Sequence, residues 1–460
     1  MIFRLFICLL LIQICCGCAT WYQRTAAFQQ AVSQGEFEQA EKLLQKDKKQ
    51  SRDKNKILYY LNQGYVYFML GEHEKSNAAF ETAEQLTEEQ RRNVLTEAAV
   101  LIVNPEIRPY KPEDFEVIMI NFYKALNYLQ LNHMEDALVE ARKINIRLQQ
   151  LNDKYPDHKN RYQQDAFAQL LMGLIYDAAG DFNNAFIAYR NAYDTYQSDY
   201  QKNFGLGAPE QLKKDLLRTA YLCGFHNELV QYERVLGLTY TPLSPSPNGQ
   251  LVLFWLNGFG PVKTEWGITF TKIDKGNGLI TFHNEELGLT FPFFWGNGYS
   301  ESDKNSLANV NVVRAVFPKY QERPLAYTNG SLIYNGKSYT LEEAEDINQI
   351  AFKTLHDRMV RELSTSLLRV AVKQGIKQAA SKQNDWLGLA VGLANAFTEK
   401  ADTRNWQTLP YSISYVRVPL ESADNHVQLQ FTGPKVNPDK QQINIPANGK
   451  GTRFFVYTTL

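Results

Sequence analysis

Apolar and polar positions follow a helical period through the first half of the chain, and the late strands of the second half alternate with a period of two. The clearest helical stretch is 165–196, DAFAQLLMGLIYDAAGDFNNAFIAYRNAYDTY. Its spacing predicts two amphipathic helices meeting at Gly180-Asp181. Gly173, seven residues before Gly180, leaves room for a facing helix to approach closely, and Tyr176 fills the space beside it. Ala185, Tyr189 and Ala192 mark that facing helix. Such a unit cannot bury its apolar face alone and stacks on copies of itself.

Copies are present. Gly64, Tyr67, Gly71, Ser76, Phe80 and Ala83 repeat the offsets, as do Ala125, Tyr128, Asn132, Ala137, Ala141 and Ile144. A weaker copy uses Phe28, Ala31, Gly35, Ala40 and Leu44, and a degenerate one runs from Leu212 to Leu236 around Gly224. Several registers agreeing at several positions each predict a tetratricopeptide-repeat solenoid over 19–240. Proline-bearing breaks interrupt it at Asn104–Phe115 and Asn152–Asn160.

In stacked repeats the first helix of each pair lines a concave groove. Here the inward offsets carry Tyr65 and Phe68, then Phe122 and Leu126, then Phe167 and Leu170, with Asp177 closing the row. These six apolar residues are the candidate partner-binding surface, suited to an apolar peptide or helix. The alternative is that they pack on the chain's own second domain and close the groove.

After a linker at 241–248, strands dominate. Runs at 251–256, 266–273, 278–283, 309–317, 331–334 and 337–340 are β-branched and aromatic, and Asn335-Gly336 is a two-residue hairpin signal. Residues 341–401 read as an inserted helical hairpin, in which Leu368, Val372, Gly375, Ile376 and Ala379 share a face. Its second part, Trp386–Phe397, is apolar nearly all round. Strands return at 411–419, 426–432, 441–445 and 452–459. The expected class is therefore α+β: an all-α solenoid followed by a β-rich, sandwich-like domain over 249–460 with a helical insertion.

At 460 residues the chain has room for two or three domains, and its 49 basic and 49 acidic side chains leave no net field to attract nucleic acid. Arg4 followed by an apolar run from Leu5 to Ile14 predicts a signal peptide over 1–17. The run ends in Cys15-Cys16-Gly17-Cys18, similar to a bacterial lipobox, with Cys18 as the lipidated residue. Acyl chains contribute roughly 0.8 kcal/mol per buried methylene, so several of them would hold the protein at a membrane durably. Ala19 stands where inner-membrane retention signals place Asp, which favours the outer membrane, facing the periplasm. Of the five cysteines only Cys223 lies beyond this segment, and it is expected to be a small core residue.

Nothing in the sequence assembles into a catalytic signature. There is no phosphate loop, nucleophile elbow or zinc-protease motif, so no catalytic residue, metal ligand or cofactor is assigned. Glu113-Asp114-Phe115-Glu116 reads as acids in the first turn of a helix opened by Pro112. Glu140 and Arg142 read as a solvated or locally paired face.

The lipobox, YKPEDFEVIMINFYKALNYL (110–129) with ALVEARK (137–143), GQLVLFWLNGFGPVKTEW (249–266) and EKADTRNWQTLP (399–410) together resemble a widespread group of bacterial lipoproteins. Members of that group carry tetratricopeptide repeats and a C-terminal β-rich part. The resemblance implies a cell-envelope role, with a pointer toward wall synthesis, and supplies no catalytic residues. Asp402, Arg404 and Trp406 are read as a structural junction, Arg paired with Asp and Trp buried against the sheet. The expected function is a lipid-anchored envelope scaffold that binds another envelope protein, not an enzyme. The alternative is a cell-wall or surface-polysaccharide enzyme with its site in the β domain.

Overall fold

A computed structural model of the chain describes residues 21–47, 51–92, 108–153, 162, 164–242, 246–274, 279–285, 289–294, 312–357, 401–434 and 436–460. Cys18 with its signal segment, and the apolar insertion residues from Leu368 to Phe397, lie outside the described residues.

Among the described residues, five helical hairpins come first. They are α1 (Trp21–Ser33) with α2 (Phe37–Lys46), α3 (Lys56–Met69) with α4 (His73–Arg92), and α5 (Asp114–Gln130) with α6 (Met134–Asp153). Then come α7 (Ala166–Ala178) with α8 (Phe182–Thr195), and α9 (Glu210–Leu222) with α10 (His226–Leu236). Each hairpin turns at a residue with positive φ: Gly35, Gly71, Asn132, Gly180 and Gly224, at 73°, 73°, 59°, 79° and 70°. Only glycine, and less readily asparagine, takes that conformation cheaply, which is why these types recur at the offset.

Within a hairpin the two helices meet through a small residue and a ring. A Cβ at Gly64 would collide with the ring of Phe80, and one at Gly173 with Tyr189. The third hairpin has alanine at both equivalent positions, Ala125 and Ala141, each fully buried. Volume removed from one helix is returned by the other, as close packing requires.

Among the described residues twelve strands follow: β1 (Gln250–Asn257), β2 (Val262–Asp274), β3 (Leu279–Asn284), β4 (Leu289–Phe294), β5 (Val312–Gln321), β6 (Asn329–Tyr334), β7 (Lys337–Thr340), β8 (Glu342–Asp346), β9 (Ser412–Pro419), β10 (Asp424–Gly433), β11 (Val436–Pro446) and β12 (Thr452–Thr459). They form three four-stranded sheets ordered β12-β1-β9-β8, β11-β10-β6-β7 and β4-β3-β2-β5. In the first, β1 (Gln250–Asn257) lies between a parallel β12 (Thr452–Thr459) and an antiparallel β9 (Ser412–Pro419). Its side chains divide by parity. Leu251, Leu253 and Trp255 join Val416 and Val418 against Leu332, Val427, Leu429 and Phe431 of the second sheet, a sandwich core. Val252, Phe254 and Leu256 join Ile413, Tyr415 and Phe454 against the helical array. The first sheet is thus covered on both faces, and β1 is buried from Leu251 onward.

Most strands lie where the apolar runs place them, and two do not. β4 (Leu289–Phe294) carries Pro292 and forms the outer edge of its sheet, where a missing N–H is tolerated. β8 (Glu342–Asp346) corrects the start of the expected helical insertion. LEEAED has helical propensity, yet it pairs with β9 through a bulge between Glu343 and Glu345, and helix begins only at 347. Long-range pairing overrides local preference here: Ala344 and Glu345 are buried, and the Tyr196 hydroxyl donates to the Ala344 carbonyl at 2.6 Å. Tyr196 sits in a π-helical turn, Tyr196–Tyr200, that continues α8 and aims both its tyrosines at β8. Cys223 is a further correction: it is a half-buried, free thiol capping α9 and not a core residue.

Candidate functional site

The groove expected to receive a partner is filled. Tyr65, Phe68, Phe122, Leu126, Phe167 and Leu170 are all buried, none more than 6% exposed. Tyr65 and Phe68 pack edge-on to Tyr123, at 6.0 and 5.0 Å between ring centres. Phe122 leans on Phe167, which meets Phe254 of β1 at 6.1 Å. All six belong to one core with the array-facing side chains of the first sheet. The partner-binding role assigned to them does not fit this burial. The physical reason is ordinary: so large an apolar strip is driven out of water, and the covalently linked sheet is the nearest cover.

Charged side chains lock that cover in register. Arg417 projects from β9 and donates to Asp177 at 2.7 Å and to the Tyr189 hydroxyl at 2.9 Å, with Asp215 at 3.3 Å. Arg218 pairs with the same two acids. Burial alone would raise the Asp177 carboxyl, but Arg417 and Arg218 outweigh it and hold it below the usual range. Asp177 is the polar residue closing the groove's apolar row, and Arg417 is the basic residue inside an otherwise apolar strand. Both oddities are visible in the sequence, but only the fold pairs them.

A second polar lock involves the 401–410 segment. Arg404 is buried and bridges Asp402 (2.6 Å), the Asn55 side chain (2.9 Å) and the Arg108 carbonyl (2.9 Å). Trp406 is buried too, though not against the sheet as expected: its ring lies 5.6 Å from Phe80 and 5.7 Å from Tyr123, among the helices. Its backbone N–H donates to Glu116 at 2.6 Å. Glu113 and Glu116 do form a capping box at the start of α5, and both are also buried, Glu113 paired with Lys263 of β2 (Val262–Asp274). Burial pushes Glu116 up to about 7, with Lys263 opposing and Glu113 adding to the shift. Every acid in this group has donors from protein, as buried polar groups in a packed seam do.

The array has an internal seam of the same kind. Lys124 is 2% exposed and contacts Glu84 at 2.9 Å and Glu140 at 3.1 Å. Burial would raise Glu84, yet Lys124 and Arg147 bring it down to about 2. Glu140 is therefore paired but not solvated, whereas Arg142 lies over the Tyr176 ring at 5.4 Å.

Two features of the described surface stand out. One is a cleft of about 430 Å³ between the third sheet and residues 347–357, lined by Trp266, Lys319, Tyr320, Glu322, Asn348, Phe352, Lys353 and His356 among others. The other is the last hairpin, where Tyr221, Leu222, Val230 and Val235 are 42–58% exposed. Among the described residues no group of three or more His, Cys, Asp or Glu is placed to hold a metal ion, and no helix is long and apolar enough to cross a membrane.

No family model and no curated protein sequence matches the chain. Among solved structures it is similar in part to the apo form of RapI, at 13% identity over 45% of this chain and 65% of that one, with a TM-score of 0.32. BtubC from P. vanneervenii gives 16% identity over 48% and 82%, TM-score 0.32, and MamA protein 14% over 47% and 96%, TM-score 0.29. The matched segments thus span just under half of this chain and about two thirds of RapI's length. The tetratricopeptide-like reading of the array rests on its own five turns and on its glycine–aromatic contacts.

Proposed function

We propose that this chain is a lipid-anchored scaffold of the cell envelope. It is held through Cys18 at the periplasmic face of the outer membrane and binds another envelope protein, with cell-wall synthesis as the process it serves. The observation that carries the binding part is the last hairpin. A terminal repeat facing water normally presents a polar outer side, because no further repeat covers it. Here four large apolar side chains, Tyr221, Leu222, Val230 and Val235, stay exposed within fifteen residues of chain, while the groove is sealed. Contact therefore uses the end of the array and not its concave side.

A photo-activated crosslinking residue at Val235 or Leu222 is expected to give a discrete adduct in living cells, and the same residue at the exposed Gln30 none. Absence of adducts at both apolar positions would rule out the end of the array as a docking surface. The anchor is tested separately: labelled palmitate should enter the full chain and be lost in Cys18→Ser. A second reading, an enzyme acting on wall or surface polysaccharide, draws on the cleft. There the carboxylate of Glu322 accepts from the Tyr411 hydroxyl at 2.6 Å, and Asp346 lies close enough for the two carboxylates to interact.

A further inference from the structure

We propose that the cleft beside the third sheet binds an acidic saccharide, a ligand class that the scaffold reading neither requires nor supplies. Its walls come from elements fixed from behind. Trp266 on β2 and Tyr320 on β5 (Val312–Gln321) form one side, and residues 348–356 the other. Tyr320 meets Phe352 across the floor at 6.0 Å, and Phe115 of α5 backs it at 6.4 Å. The opposite wall is held by the Asn348 N–H donating to the Tyr411 carbonyl at 3.1 Å. A half-buried Trp266 thus stands on β2, paired with Phe317 of β5.

Two features select the ligand. Aromatic faces pack against the C–H faces of a pyranose ring, a flat apolar contact that needs no charge. Lys319 and Lys353 stand on opposite walls, two cations against the one carboxylate of the lining, Glu322. That leaves a cationic balance suited to a sugar carboxylate. A phosphate ligand fits less well. The helix starting at 347 has its first turn taken by Asp346, which accepts from the Gln349 N–H at 2.8 Å, and no arginine lines the cleft.

The test uses the purified full chain, with N-acetylglucosaminyl-N-acetylmuramic acid as the acidic probe and N,N′-diacetylchitobiose as its neutral counterpart. Binding is followed by tryptophan fluorescence and calorimetry. The acidic disaccharide is expected to bind at least tenfold more tightly than the neutral one. Trp266→Ala should lose binding of both. Lys319→Gln with Lys353→Gln, two substitutions at the rim that leave the core intact, should reduce the acidic probe to the affinity of the neutral one. Failure of the acidic probe to bind, equal affinity for the two probes, or binding unchanged by the lysine pair overturns the proposal. None of these outcomes depends on whether the last hairpin captures a protein.

Discussion

The two faces of the first sheet are built from the same strands and held by different means. Toward the second sheet, Leu251, Leu253, Trp255, Val416 and Val418 meet apolar side chains, and the contact is a dry sandwich core. Toward the helical array, Val252, Phe254 and Leu256 are equally buried, but a charged residue of β9 crosses the contact, Arg417 to Asp177 and Asp215. Alternation along a strand suffices to specify a sheet-on-sheet contact, since a one-residue slip would expose the whole set. A helical array offers no such pleat. Its groove would accept a sheet at several offsets, and buried ion pairs penalise all but one, because a displaced pair leaves uncompensated charge.

The strongest way to break that contrast is Arg417→Ala. It leaves Asp177 and Asp215 at the seam with Arg218 as their remaining cation, and a loss of about 3–5 kcal/mol is expected. Denaturant unfolding followed by far-ultraviolet circular dichroism and by tryptophan fluorescence should then separate into two transitions, helices and sheet. Leu253→Ala, on the sandwich face, is expected to cost about 2–5 kcal/mol while keeping a single transition, since it leaves no charge stranded. A single transition in both variants would show that the polar seam does not couple the two parts.

Gly173→Ala probes the array alone. The added methyl meets the Tyr189 ring, and the loss should be about 1–3 kcal/mol by thermal melting. The reverse change at the equivalent position, Ala125→Gly, should cost less, about 0.5–1 kcal/mol, because glycine adds backbone freedom to the unfolded chain.

A smaller effect, spread over pH, sharpens the seam's electrostatics. Burial raises Asp165 and lifts Glu345 well above its usual range, and it brings Asp346 up to about 6 and Glu116 to about 7. The folded chain therefore keeps protons that the unfolded chain releases above about 4.3. Stability from these groups is full at or below that value and declines as pH rises through 7. Asp177 and Glu84 shift the opposite way, so their contribution is lost only in stronger acid. The melting temperature should be higher at pH 5.5 than at pH 8, and Glu345→Gln should narrow the difference. A difference unchanged in that variant would remove Glu345 from the explanation.

The helical hairpins were legible because each carries its own local marks: a turn residue that tolerates positive φ and a small residue opposite a large one. Gly71 with Gly64 and Phe80 shows all three. The strands at 250–257 and 412–419 were legible as apolar runs. What the runs could not reveal was that both faces of these strands are buried, and hence that the groove is closed. The information sits in single residues, Arg417 and Asp177, separated by 240 positions. The acids of EEAED favour helix locally, and only the pairing of β8 with β9 and its burial under Tyr196 and Tyr200 reverse that. The cleft left no mark in the sequence at all, since Trp266, Asn348 and Lys353 belong to separate elements.

Closure of the groove is most directly tested by thiol labelling of the folded protein in a cysteine-free background. Leu170→Cys should react with a maleimide only as fast as the protein unfolds, while Val235→Cys on the last hairpin should react at once. Comparable rates at the two positions under native conditions would mean that the sheet does not cover the array.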